Sequence, residues 1–128
     1  MLNHRFVGAW ELVRIERRHP DGSVTVAPGT EGGFGMLMWT ASGHFCSLVV
    51  GRYPGDPALV SYTGVAEAED AVEGTLHHRV LAASVERLQA DQVRHFRFDG
   101  ADGLELSTPP DPDGAVPTLV WRRRTRDT

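Results

Sequence analysis

Turn-forming residues divide this chain into short segments along its whole length. The sequence contains 14 glycines and 8 prolines, and they are spread through the chain rather than gathered in a linker. Gly and Asp tolerate positive φ angles and Pro fixes its own φ, so clusters of these residues mark tight turns. Four clusters lie at 19–22 (HPDG), 41–43 (ASG), 99–103 (DGADG) and 109–112 (PPDP). Segments as short as those between the clusters favour β-strands.

Apolar and polar residues alternate within these segments, which is the pattern of half-buried strands. Only 82–90 has a helical composition, so folds that need crossover helices are disfavoured. Because no connection is long enough for an elaborate crossover, we expect one all-β domain over 1–128, an antiparallel up-and-down barrel of 8–10 strands. The predicted strands are 10–18, 23–27, 34–40, 44–50, 62–69, 75–81, 92–98, 104–108 and 118–124.

Composition and charge indicate which cellular environment and which partners to expect. The net charge of −4 argues against nucleic acid, which requires a basic face. Cys46 is the single cysteine, so an internal disulfide cannot form. The first residues lack the basic and apolar stretches of a signal peptide, and no apolar run approaches the roughly 18 residues of a membrane span. We therefore expect a cytoplasmic protein with no nucleic-acid or membrane partner.

The first predicted strand opens with the pattern F-x-G-x-W at 6–10, which resembles the start of lipocalins and their calycin relatives. In that group the tryptophan closes the narrow end of a barrel, often with a basic residue of the last strand packed over it. The resemblance implies that Trp10 has this place and that 120–122, which ends in Arg122, supplies the basic residue.

A longer ordered set of motifs resembles the bacterial and fungal lipocalin-like domain family. Two differences, Trp39 in place of a tyrosine and a segment 79–91 without the family's Pro and Trp, fall where a pocket lining varies. The resemblance implies a barrel with a central cavity, in a family whose members bind, cyclise or isomerise small molecules of specialised metabolism. The matching motifs lie at 35–40, 42–44, 62–64, 74–78, 92–94 and 104–110.

Strand parity identifies candidate cavity residues because successive side chains face opposite sides of a sheet. Tyr62 shares a face with Gly64, Ala66 and Ala68, and such small residues leave room for a ligand. The Tyr62 hydroxyl would donate to a ligand oxygen, or bond to the backbone as an ordinary buried tyrosine.

Arg94 and Gln92 share a face with Phe96 and Phe98. If the phenylalanines are buried, the Arg94 guanidinium faces the cavity and can hold a carboxylate, an enolate or a carbonyl oxygen. The alternative is a structural arginine bonded to loop carbonyls.

The adjacent His77 and His78 must point to opposite faces of a regular strand. Leu76 and Val80 favour His78 inward, although a β-bulge would reverse the assignment. His78 is the candidate proton carrier because histidine titrates near neutral pH; packed or solvated histidines are nevertheless more common.

Hydrolase, kinase, nicotinamide and zinc motifs are missing from the sequence, so we expect no cofactor and no metal. The sequence predicts a protein that binds an apolar or aromatic small molecule. Its role is either that of a cofactor-free cyclase, isomerase or dehydratase, with His78, Arg94 and Tyr62 catalytic, or that of a non-catalytic carrier.

A homodimer and a purely structural, filled barrel stay open as alternatives. From parity, Arg14 would face the cavity together with Trp10, Leu12 and Glu16, or be solvated. The methionines would adapt to a ligand or fill an ordinary core, and Cys46 is expected to be a small buried hydrophobe. The expected ligand-binding residues are Arg14, Met36, Met38, Trp39, His44, Cys46, His77, Gln92 and Phe96.

Overall fold

The protein is described by a computed structural model that covers residues 2–26, 34–50 and 59–125. Each of the nine predicted strands has a counterpart in it. The 82–90 segment contains only the short 3₁₀ helix Glu86–Leu88, and another 3₁₀ turn, His4–Phe6, precedes the first strand. The strands are β1 Gly8–Arg18, β2 Val24–Val26, β3 Phe34–Trp39, β4 His44–Val50, β5 Leu59–Ala68, β6 Glu73–Ala83, β7 Gln92–Asp99, β8 Gly103–Ser107 and β9 Val116–Arg124.

Eight of these strands form a closed antiparallel barrel. From β3 to β9 each strand pairs with the next one along the chain, and β1 pairs with both β3 and β9, which closes the ring. The short β2 pairs with the last residues of β1. The prediction of an all-β antiparallel barrel of 8–10 strands is therefore confirmed. Closure leaves the long strands with hydrogen-bonding neighbours on both sides.

The barrel is closed at one end by aromatic side chains. Phe6 is fully buried there, with its ring centroid 5.0 Å from that of Trp39. The Trp10 indole Nε1 donates to the Phe6 carbonyl over 2.9 Å. Burial of the Phe6 ring removes apolar surface from water, and this stabilises the N-terminal segment across the end of the barrel.

A basic residue of the last strand does cover Trp10, but it is Arg123 and not the expected Arg122. Trp10 pairs with Arg123 in the β1–β9 register, and the Arg123 guanidinium lies 4.2 Å from the indole centroid. Arg123 also donates to the Val7 and Arg5 carbonyls. Arg122 has the opposite parity and forms an ion pair with Glu11.

A β-bulge at Val13 reverses the parity of β1. Leu12 pairs with Trp121 and Arg14 with Val120, so Val13 has no partner of its own. As a result Ile15 is turned inward and Arg14 is turned to the outer surface, where Glu16 forms ion pairs with Arg14 and Arg18. The expected cavity orientation of Arg14 and Glu16 is wrong, because an extra residue shifts every later side chain to the other face.

Candidate functional site

A cavity of about 440 Å³ occupies the half of the barrel away from Phe6. This volume lies in the roughly 300–1,000 Å³ range of small-molecule pockets. Most of the lining is apolar, with a smaller set of polar side chains. The lining residues are Ile15, Arg17, Leu37, Ser47, Val49, Val60, Tyr62, His78, Arg87, Leu88, Gln92, Arg94, Leu106, Thr108, Pro117, Leu119 and Trp121.

Four residues selected by parity line this cavity together. They come from three neighbouring strands, Tyr62 from β5, His78 from β6, and Gln92 and Arg94 from β7. The β6 bulge lies beyond His78, between the pairs Gly64–Val80 and Thr63–Ala82, so it does not alter the His78 orientation. These strands are regular at the level of the cavity, and simple alternation therefore holds there.

The expected orientation of β3 and β4 is wrong for Met36, Met38, His44 and Cys46. On β3 the inward side chains belong to Leu37 and Trp39, which are buried, whereas Met38 is 46% exposed. Met38 pairs with Cys46 across the sheet, and both are exposed on the outer surface. His44 has the same outward parity as Cys46 and is exposed. Cys46 is therefore exposed and is not the small buried hydrophobe that the sequence predicts.

Phe96 and Trp39 point inward, but neither lines the cavity. Phe96 is fully buried below it, with its ring 5.0 Å from that of Phe6. Trp39 is 2% exposed and contacts His78 from the core. Both side chains support the cavity and are not part of its lining.

His77 lies on the outer surface, as its parity predicted, so it does not line the barrel cavity in which it is expected as a ligand-binding residue. It borders a groove of about 590 Å³ at the closed end, together with His4 and Asp70. The groove is larger than the barrel cavity, but His4 and Asp70 are both more than 70% exposed. A shallow groove bordered by such exposed polar side chains makes a poor small-molecule site, so the enclosed cavity is the candidate.

His78 is held in one orientation and one tautomer. Its ring stacks on Phe45 with centroids 3.8 Å apart and planes 11° apart. The Trp39 indole Nε1 donates to His78 Nε2 over 3.2 Å. Because an indole N–H can only donate, Nε2 is the unprotonated nitrogen and Nδ1 carries the hydrogen. His78 Nδ1 is buried and has no hydrogen-bond partner among the described residues.

Burial keeps the His78 imidazole neutral. Loss of hydration, together with the positive charge of Arg94, lowers the pKa of His78 from 6.5 to about 3. A charged imidazolium in this setting would lose its hydration and would lie in the field of the positive charge of Arg94. At neutral pH, the wall of the cavity therefore contains an uncharged His78 ring.

Tyr62 is kept as a neutral phenol by the same environment. Burial raises the pKa of Tyr62, while the Arg94 charge, a hydrogen bond with Ser47 and the Arg87 charge act in the opposite direction. The Tyr62 ring meets Phe45 edge-on with centroids 5.5 Å apart. The Tyr62 ring also lies beside that of His78, with centroids 6.1 Å apart.

Arginine side chains occupy the cavity wall near its outer end. Arg94 donates from Nη2 to Gln92 Oε1 over 2.7 Å and from Nη1 to the Val93 carbonyl over 3.0 Å. Arg17, turned inward by the β1 bulge, forms an ion pair with Asp111. Arg87 is placed at the cavity by the 3₁₀ helix between β6 and β7.

Sequence reasoning missed five cavity residues that carry polar groups, which are Arg17, Ser47, Arg87, Thr108 and Trp121. Trp121 is 2% exposed, and its indole Nε1 has no hydrogen-bond partner among the described residues. The alternation of Leu119 and Trp121 along β9 was a usable signal for the tryptophan. The two arginines depend on a bulge and on a connection, which periodicity does not reveal.

Comparisons with known proteins agree with this architecture. The lipocalin-like domain family matches residues 7–84. A redesigned beta barrel is 13% identical, with a TM-score of 0.52 over 95% of this chain and 94% of its own. A de novo designed fluorescence-activating beta barrel is 17% identical, with a TM-score of 0.51 over 97% of this chain and 100% of its own. At these identities the two designs show the fold alone.

No curated protein matches the chain. Within the described ranges, no helix has the length and apolar character needed to cross a membrane. The family match covers more than half of the 128 residues and agrees with the closed barrel. The chain therefore belongs to the lipocalin-like domain family.

Proposed function

We propose that this protein binds an apolar or aromatic small molecule inside the barrel. The observation that carries the proposal is the cavity of about 440 Å³, whose lining joins apolar walls to a few polar side chains, among them Tyr62 and His78. A purely structural barrel would be filled by its own side chains. Concave apolar walls with a few oriented polar groups are the usual form of a ligand site.

The walls of the cavity favour a ligand with a large apolar surface. The cavity's apolar walls come from two groups of neighbouring strands. Leu37, Val49 and Val60 belong to β3, β4 and β5, and Leu106 and Leu119 belong to β8 and β9. Burial of apolar ligand surface contributes roughly 25 cal/mol per Å² before the costs of association. Binding of this kind needs no metal or cofactor.

A second function, cofactor-free catalysis, is favoured by one further observation. His78, Tyr62 and Arg94, each with a group able to donate a hydrogen bond, all line the same cavity. Fixed donors of this kind stabilise negative charge that develops on a carbonyl oxygen, as in an enolisation, cyclisation or dehydration. With a pKa of about 3, His78 is a weak base at neutral pH, so its proposed part is that of a donor.

The binding proposal is tested by titration with N-phenylnaphthylamine, an uncharged probe that fluoresces in apolar surroundings. The wild type should bind it with saturation at one probe per chain. Val60→Trp, which places a large ring in the cavity, should abolish the signal, whereas Val93→Trp on the outer face of β7 should not. Equal signals from the two variants would contradict binding inside the barrel.

A carrier role and a catalytic role are distinguished with the variants Tyr62→Phe and Arg94→Met. In each variant, the affinity for a candidate substrate and its turnover are measured independently. Loss of turnover of a candidate substrate with retained binding supports catalysis by these donors. Loss of binding alone supports a carrier. If neither quantity changes, Tyr62 and Arg94 have no part in the function.

A further inference from the structure

The connection 84–91 between β6 and β7 covers part of the cavity. Arg87 and Leu88, both in its short 3₁₀ helix, line the cavity. Leu88 is 8% exposed, and it is the one buried residue of 84–91, which the structure describes throughout. The Leu88 side chain therefore attaches an otherwise exposed segment to the apolar interior of the barrel.

The sequence of this connection, SVERLQAD, provides little else that could be buried. Its other apolar residues are Val85, which is half-buried, and Ala90, which is exposed. The segment is also shorter than the roughly 12–15 residues that an isolated helix needs, and it forms a single 3₁₀ turn. A segment with so little buried apolar surface can open locally while the strands on either side of it stay folded.

Gln92, the first residue of β7, links the connection to the cavity wall. Its Nε2 donates to the Leu88 carbonyl over 3.4 Å, and its Oε1 accepts from Arg94 Nη2 over 2.7 Å. Because a guanidinium can only donate, the bond with Arg94 fixes the orientation of the amide and turns its NH₂ group toward Leu88. A hydrogen bond of 3.4 Å is long and therefore weak. The buried Gln92 side chain thus holds Leu88 in the cavity by a bond that breaks easily.

Both ends of the connection are bonded to strands of the barrel. Ser84 N donates to the Ser61 carbonyl, and Ser61 N donates to Ser84 Oγ, both over 2.8 Å. At the other end, Asp91 Oδ1 accepts from Val80 N over 3.3 Å. Ser84 and Asp91 are exposed, and neither lines the cavity. The two ends are therefore fixed outside the cavity, while the middle of the segment reaches into it.

We infer that the connection 84–91 is a lid of the cavity and that Leu88 is the side chain that closes it. A ligand enters and leaves when Leu88 and its 3₁₀ helix move out of the cavity, while β6 and β7 stay in place. Segments that close over a site in this way commonly control how fast ligands enter and leave. This inference rests on the proposed binding function and specifies the route by which a ligand reaches the cavity.

The lid is tested by the rates at which N-phenylnaphthylamine enters and leaves the cavity, measured by stopped-flow fluorescence. Ser84→Ala and Asp91→Ala each remove one hydrogen bond at an end of the lid without changing the cavity lining. Each should raise the association and the dissociation rate constants by roughly threefold to tenfold, because one hydrogen bond changes an equilibrium by about this factor. Because both rate constants rise together, the equilibrium dissociation constant should stay the same.

Three further variants complete the test. Thr40→Val is the matched control, because Thr40 Oγ1 accepts from His44 N in the β3–β4 connection at the closed end, and its rates should equal those of the wild type. Gln92→Glu keeps an acceptor for Arg94 but removes the donor to the Leu88 carbonyl, so it should accelerate release. Leu88→Ala should accelerate both steps and also weaken binding, since the cavity wall loses apolar contact.

Faster entry and faster release in Ser84→Ala or Asp91→Ala, at an unchanged dissociation constant, would support the lid. Use of two variants keeps the test valid if one of them does not fold. Rates equal to those of Thr40→Val in both variants, or faster release alone, would overturn the lid and leave the binding function in place. Failure of N-phenylnaphthylamine to bind the wild type would overturn the binding function, and the lid with it.

Discussion

Acidification should destabilise this protein through His78 before it affects the carboxylates. The pKa of His78 is 6.5 when the chain is unfolded and about 3 when its ring lies against Phe45 and Trp39. Between these values the unfolded state binds a proton that the folded state does not. The contribution of neutral His78 to stability is therefore complete above pH 6.5 and is lost progressively as the pH falls toward 3.

The size of the stability loss depends on how far the pH lies below the pKa of His78 in the unfolded chain. At about pH 5, one and a half units below it, the loss is about 2 kcal/mol at about 1.36 kcal/mol per unit. Ion pairs lower the pKa values of Glu11, Glu16 and Glu105 below 4.5, so their contribution is lost mainly at more acidic pH. The window between pH 7.5 and 5 therefore reports chiefly on the histidine.

The measurement is urea unfolding across this window for the wild type, His78→Phe and the matched surface variant His77→Phe. The wild type and His77→Phe should both lose about 2 kcal/mol between pH 7.5 and 5. His78→Phe should be less stable at pH 7.5, because Trp39 Nε1 loses its acceptor, but its stability should change much less with pH. The same pH slope in all three proteins would refute a neutral, buried His78.

Further predictions concern the barrel end and the bulge above His78. Trp10→Ala should lower the free energy of unfolding by roughly 3–5 kcal/mol, since the ring is fully buried, and a loss near zero by urea unfolding would contradict its place in the core. Arg123→Gln should cost about 1–3 kcal/mol through its lost contacts with Trp10 and two carbonyls, and Arg122→Gln less than 1 kcal/mol; equal effects would contradict the register. Gly64→Ala would place its Cβ 2.0 Å from the Arg79 carbonyl oxygen, so it should lower the melting temperature and weaken probe binding, and unchanged values would contradict this close approach.

The part of the site formed by β5, β6 and β7 could be predicted from the sequence because these strands are regular at the cavity. Tyr62, His78 and Arg94 were assigned to the inner face from their neighbours alone. In a closed barrel every regular strand alternates between core and solvent. The expected roles of these residues in binding or catalysis remain predictions.

The part formed by β1 and β3 could not be predicted in this way. One bulged residue, Val13, exchanges the faces of Arg14 and Arg17, and no residue type in that segment signals it. On β3 the sequence predicts that Met36 and Met38 face the cavity, although the sheet turns Leu37 and Trp39 inward. Apolar side chains on both faces of a short strand leave its orientation undetermined.

The central claim, binding inside the barrel, is tested most directly by locating a bound probe with intermolecular NOEs. N-Phenylnaphthylamine should show NOEs to the methyl groups of Leu37, Val60 and Leu119, which line the cavity on three different strands. It should show none to Val13 and Val93, which lie on the outer face. NOEs to the outer valines without any to the cavity methyl groups would contradict the account.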